Sequence, residues 1–159
     1  IKKIFPSKFL KNQTFLEYSP QGNILLQQIA RNLKKNTGGL LIIDYGYSSF
    51  KMRDTVQSLY KHKKNHILNN KFKSDITYNL NFSLIKSILT NLGLKVNNLI
   101  EQGIFLKNLG ILHRAEIISQ NLSFSKKADI FYRIDRLINE KKMGKLFKVL
   151  QVCSKKNQF

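Results

Sequence analysis

Asp44-Tyr45-Gly46 follows directly on the apolar run Leu40-Leu41-Ile42-Ile43. A carboxylate and a phenol at the carboxyl end of a buried strand stand where open α/β sheets bind ligands, so the triplet can form a wall of an active site. It can equally be a plain strand terminus, with the aspartate capping the next turn and the glycine permitting a tight bend. His62 carries a side chain that changes charge near neutral pH, suited to contact a substrate or serve as a base. It has no acidic neighbour in sequence, which also fits a solvated loop histidine. Asp75 and Thr77 could line a polar cleft, but the same spacing caps helices and turns through nearby backbone N–H groups. Gln102 offers an amide for a substrate amide or guanidinium. Arg114 could hold an acidic group, or complete a local ion pair with Glu101 or Glu116. His66 and His113 read as solvated. No spacing resembles a metal cluster, a Ser/His/Asp triad or a catalytic thiol, and the single Cys153 excludes an internal disulfide.

The elements that would position these residues follow from periodicity. Ser19-Pro20 predicts a helix start, a capping hydroxyl followed by proline in the first turn. Ile24, Leu25, Gln28 and Ile29 keep helical spacing to about Lys35, and Asn36-Thr37-Gly38-Gly39 ends the helix. Leu40 to Ile43 reads as an interior parallel strand covered on both faces, because a continuous apolar run lacks the alternation of a half-solvated strand. Residues 47 to 80 read as a long polar loop. A helix is predicted from about Phe82 to Leu92, closed by Gly93. A strand follows from Val96 to Ile104, then a turn from Phe105 to Ile111, a helix from about Leu112 to Gln120 and another capped by Ser125. The last strand spans Leu146 to Val152. This order predicts an α/β fold.

A hydrophobic content of 42% with 11% aromatic residues is enough for a core. No apolar run approaches the roughly 18 residues of a membrane span. The net charge of +19 invites a nucleic-acid reading. Only five of the 28 basic residues are arginine, however, and they are scattered with no recognised nucleic-acid motif. Nucleic acid is thus not expected as the main partner, although a basic surface can steer an acidic protein.

Taken together and in order, several motifs resemble one family. Gly38-Gly39-Leu40-Leu41-Ile42-Ile43-Asp44-Tyr45-Gly46, His62, Asp75-Ile76-Thr77 with Phe82, Gln102 with Phe105-Leu106, Gly110-Ile111 and Arg114, and Lys142-Met143-Gly144 with Phe147 resemble the signature of MidA-like class I methyltransferases. Glu17-Tyr18-Ser19-Pro20 resembles the start of the helix before the family's strand. The resemblance runs from about residue 13 to 153. It departs where the family has Pro-Gly and this chain has Lys71-Phe72, and where Asn79 and Asn81 replace acidic or polar residues.

The resemblance implies the C-terminal part of a Rossmann-like methyltransferase fold, a mostly parallel sheet with an antiparallel last strand. It implies S-adenosyl-L-methionine as methyl donor, bound mainly by a glycine-rich loop upstream of anything here, since no G-x-G occurs. Residues 1–159 are accordingly read as the C-terminal portion of one domain, inactive alone, an expectation consistent with a first residue of Ile1. The family includes a mitochondrial arginine methyltransferase of respiratory complex I assembly. A protein substrate such as a complex I subunit is therefore expected, in a bacterial cytoplasm or the mitochondrial matrix. Cleft-lining candidates are Asp44, Tyr45, Gly46, His62, Asp75, Thr77, Gln102 and Arg114, with no catalytic residue assigned. The rival reading is a non-catalytic assembly module with a basic surface.

Overall fold

The computed structural model describes residues 7–11 and 13–155. Helix α1 (Pro20–Asn36) begins as its sequence predicts: the Ser19 hydroxyl accepts a hydrogen bond from the Gly22 N–H at 3.0 Å, and Pro20 needs no donor in the first turn. Strand β1 (Gly39–Tyr47) follows, and Asp44-Tyr45-Gly46 lies within it rather than beyond its end. The predicted loop from 47 to 80 contains a small antiparallel sheet of β2 (Gln57–Tyr60), β3 (Lys63–Asn65) and β4 (Asp75–Thr77), in the order β3-β2-β4. These strands are three or four residues long and mostly polar, too short to show the apolar alternation by which strands are recognised. Strand β5 (Leu80–Asn81) leads into α2 (Phe82–Asn91). The cap of α2 is Asn81, whose Oδ1 accepts from the Leu84 N–H at 3.3 Å. Asp75 and Thr77 cap nothing; they belong to β4.

The predicted strand over 96–104 is replaced by two bridges, β6 (Lys95–Val96) and β7 (Ile100–Glu101), and by α3 (Gln102–Asn108) where the end of that strand and a turn were expected. Gly103 in the first turn hides this helix from propensity. Its lack of a side chain is nonetheless required, because a Cβ there would lie 2.4 Å from the Ile138 carbonyl oxygen. Next come α4 (Ile111–Ser119), α5 (Phe124–Ile138), α6 (Met143–Leu146) and β8 (Phe147–Cys153). Ser123 takes the cap position of α5 in place of Ser125.

The main sheet is mixed. β1 pairs antiparallel with β8 along residues 39–45 and parallel with β5 only at Gly46 and Tyr47, while β6 and β7 add antiparallel to the far edge of β8. The last strand is antiparallel, as expected. β1 is an inner strand but is covered on one face only. Leu40 and Ile42 pack into a core built by Ala30 and Leu33 of α1, Phe82 and Leu89 of α2, and Leu150 and Val152 of β8. Leu41 and Ile43 on the opposite face remain 48% and 42% exposed. The apolar run over-predicted burial because the composition of a strand reports the cover it is suited to, not the cover this chain supplies. β8, by contrast, is buried on both sides at Val149 and Leu150 and so shows no clean alternation.

Candidate functional site

The eight predicted residues fall into three groups, and among the described residues no hydrogen bond or ion pair joins one group to another. Asp44, Tyr45 and Gly46 form the first. The Asp44 carboxylate accepts from the Tyr45 N–H at 2.8 Å, and the Tyr45 ring meets Phe147 edge-on with centroids 5.6 Å apart. Gly46 stands opposite Leu80, where a Cβ would fall 2.3 Å from the Leu80 carbonyl oxygen and 2.8 Å from the Phe82 ring. The aromatic of the D-I-T…F motif therefore fills the space that the glycine of D-Y-G leaves, and β1 and β5 can approach only because of it.

His62, Asp75 and Thr77 form the second group, on the small sheet. His62 is exposed at the β2–β3 turn, Asp75 is exposed opposite Leu59, and half-buried Thr77 pairs with Gln57. Gln102 and Arg114 lie on the helical layer. Gln102 is buried and its Nε2 donates to the Leu137 carbonyl at 2.9 Å, which clamps α3 to the end of α5. Gly144 serves the same junction, since a Cβ there would meet the Ile138 carbonyl carbon and oxygen at 2.4 and 2.3 Å. Arg114 is exposed on α4, and neither predicted partner is available: Glu101 pairs with Lys148 at 3.3 Å and Glu116 faces His113 at 4.0 Å.

The concave feature lies elsewhere. A groove of about 680 Å³ opens between α1, β1 and α2, with apolar walls from Leu26, Ile29, Leu40, Ile42, Leu84 and Ile88. Its polar lining includes Glu17, Tyr47, Tyr78 and Asn81. None of the eight predicted residues lines it. The segment before α1 is held there by Gln13, whose amide donates to the Phe50 carbonyl at 2.7 Å and accepts from the Met52 N–H at 2.8 Å. The Glu17 N–H in turn contacts the Met52 sulfur at 3.3 Å. The Tyr47 hydroxyl accepts from the Arg53 N–H at 3.2 Å, and the Arg53 guanidinium lies over the Tyr47 ring, 5.2 Å from its centroid.

Electrostatics single out Glu17. Burial raises its pKa above the ordinary 4.5, and the negative charge of Asp54 raises it further. Asn81 spends its oxygen on the α2 cap, while its Nδ2 is buried with no protein partner. A carboxylate that would gain from a cation, an unused amide donor and two tyrosines in the lining of an apolar groove suit a ligand with an apolar stem and a cationic or polar head. The sequence signal for Glu17 was its place in Glu17-Tyr18-Ser19-Pro20. Tyr47, Tyr78 and Asn81 carried none, since only the fold brings them to Glu17. Among the described residues no cluster suited to a metal ion exists.

Residues 1–100 match the model of a family described as "Putative S-adenosyl-L-methionine-dependent methyltransferase". The chain belongs to that family. Among its relatives is the mitochondrial protein arginine methyltransferase NDUFAF7 of Danio rerio, 25% identical over 91% of this chain and 34% of its own length. The Mus musculus protein of the same name is 30% identical over 83% of this chain and 30% of its own. Two members of one superfamily from Burkholderia thailandensis share the fold. The first has a TM-score of 0.71 at 25% identity, covering 85% of this chain and 37% of that one. The second, bound to S-adenosyl-homocysteine, has a TM-score of 0.68 at 26% identity, covering 82% and 35%. The MidA-like resemblance and the class I methyltransferase-like α/β fold hold, and the chain spans about a third of the length of the curated relatives it matches.

Proposed function

We propose that the protein to which this chain belongs transfers a methyl group from S-adenosyl-L-methionine to an arginine of a protein substrate, and that residues 1–159 are its C-terminal, acceptor-facing portion. The observation that carries the second half of this reading is the groove with a partly desolvated Glu17 in its polar lining. An arginine offers the matching shape, an aliphatic stem for the apolar walls and a planar guanidinium for the carboxylate. Glu17 would orient that guanidinium, and the walls would exclude water around it.

The Gly38-Gly39 pair does not suit a cradle for the methyl donor. Gly38-Gly39 enters β1 at its amino end, and Gly39 is pressed against β8, a Cβ there lying 3.4 Å from the Val152 carbonyl oxygen. A phosphate or nucleoside cradle sits at the opposite, carboxyl end of a strand. The donor site is therefore assigned to residues outside this chain. Along 39–45, β1 has no strand partner on its β5 side among the described residues, and Leu41 and Ile43 present apolar surface. We assign both the free edge and that face to contact with the donor-binding portion. The cellular process we infer, on the family resemblance alone, is respiratory complex I assembly, in the mitochondrial matrix or the cytoplasm of a bacterium.

Calorimetry of the full-length protein with S-adenosyl-homocysteine tests the donor, and mass spectrometry of an arginine-containing substrate peptide tests the acceptor. Glu17→Gln should leave cofactor binding intact and lower methylation about 100-fold, in keeping with loss of an orienting charged hydrogen bond. A protein that binds no S-adenosyl-homocysteine would instead favour the non-catalytic assembly module.

A further inference from the structure

The basic turns between β1 and β5 form a feature separate from the groove, whose lining includes none of residues 53–77. Residues 51–75 contain seven lysines and arginines against two aspartates, and none of those cations is ion-paired among the described residues, where all the ion pairs lie between residues 101 and 148. Lys61-His62-Lys63-Lys64 is exposed throughout. Lys61 and His62 form the two-residue connection between β2 and β3, flanked by the Tyr60–Lys63 pair, and both have positive φ, 50° and 63°. That is the hairpin geometry for which Asn-Gly is preferred.

The next turn repeats the anomaly. The Lys73 N–H donates to the Asn70 carbonyl at 2.9 Å, closing a four-residue turn with Lys71 and Phe72 at its centre. Phe72 has φ 65°, a conformation suited to glycine and costly for an aromatic residue. The cost is not offset by packing, because Phe72 is fully exposed. Four of the five described non-glycine residues with positive φ lie between 61 and 72. Strain concentrated at an exposed, ligand-ready surface points to a binding role.

Edge protection explains part of the charge, since lysines on an outer strand such as β3 deter pairing with other chains. It does not explain Arg53, Lys71 or Lys73, which lie outside that strand, nor an exposed phenylalanine between two lysines. Leu68 and Ile76, between β1 and β5 as well, also expose aliphatic side chains. Aliphatic groups gain nothing from stacking on bases but do gain from contact with apolar side chains.

We infer that the β2–β4 sheet with its 61–64 and 70–73 turns is a docking surface for an acidic protein segment that also carries apolar side chains, with Phe72 as the anchor and Lys61, Lys63, Lys64, Lys71 and Lys73 as the counter-charges. This goes beyond the methyltransferase reading and does not depend on it, because its readout is binding and not turnover.

The test uses the full-length protein and a labelled glutamate-rich peptide containing leucine and phenylalanine, followed by fluorescence anisotropy. Phe72→Gly should leave the melting temperature unchanged or raised, because glycine relaxes the turn, and should weaken peptide binding about tenfold, as loss of an aromatic anchor does. Lys71→Glu combined with Lys73→Glu should weaken binding and flatten its salt dependence. Polyglutamate of the same length should bind more weakly than the mixed peptide. Binding unchanged in Phe72→Gly would overturn the inference, as would tighter binding of oligo(dT) than of the mixed peptide, which would make the surface a nucleic-acid site.

Discussion

Glu17 is the residue whose charge state matters most at the groove. Its folded pKa lies above its unfolded value near 4.5 because burial and Asp54 both disfavour the anion. The folded protein therefore binds the Glu17 proton more tightly than the unfolded chain does. Stability falls as pH rises through the window between the two values, and the full penalty is present above the folded pKa. Glu17→Gln removes an ionisable group from that position. The variant should be more stable than the parent at pH 7, and the difference should shrink to nothing below pH 4.5, as read from urea denaturation at each pH. A difference independent of pH would exclude ionisation as its cause.

Close approach is the second effect at this scale. Gly144→Ala would drive a methyl group into the backbone of Ile138 and Gly46→Ala into that of Leu80. Backbone cannot swing aside as a side chain can, so each should cost about 3 kcal/mol or more in chemical denaturation. Neither glycine lines the groove. Both were met in the sequence as parts of motifs, and their chemistry is steric.

At the scale of elements, the helix starting at Pro20 was readable from its Ser19 cap and helical spacing, and the one starting at Phe82 from the glycine that closes it, its Asn81 cap emerging only in the structure. α3 was not. Its cap position, Glu101, makes no side-chain cap bond, and it contains Gly103 near its start. It is held from outside, by the Gln102 amide on Leu137 and by the fit of Gly103 against Ile138. The small β2–β4 sheet was missed for a related reason: its strands are polar and its turns use Lys61, His62 and Phe72 where glycine would have announced them.

For the molecule as a whole, the decisive surface is the uncovered face of β1. Leu41→Asp tests what lies against it. In the full-length protein the substitution should lower stability by about 3 kcal/mol or more, because it would bury an unpaired charge against the donor-binding portion. A change within about 0.5 kcal/mol would mean that this face meets water, and the assignment of these residues to one shared domain would fail. The basic surface belongs to this scale too: no helix among the described residues is long and apolar enough to cross a membrane, and a net charge of +19 favours acidic partners at long range.

Local order and family were determined by the sequence alone: a capped helix, an apolar strand that includes Asp44-Tyr45-Gly46, and motifs whose family the match over residues 1–100 bears out. These are legible because they depend on residues a few positions apart. Which side chains share a site was decided only by the tertiary structure. Gln102 became a clamp, the His62 group moved to a separate sheet, and Glu17, Tyr47, Tyr78 and Asn81 converged on a groove. The reason is physical: a site is a set of distances between residues far apart in sequence, and those distances exist only once the sheet and the helices packed on it have set them.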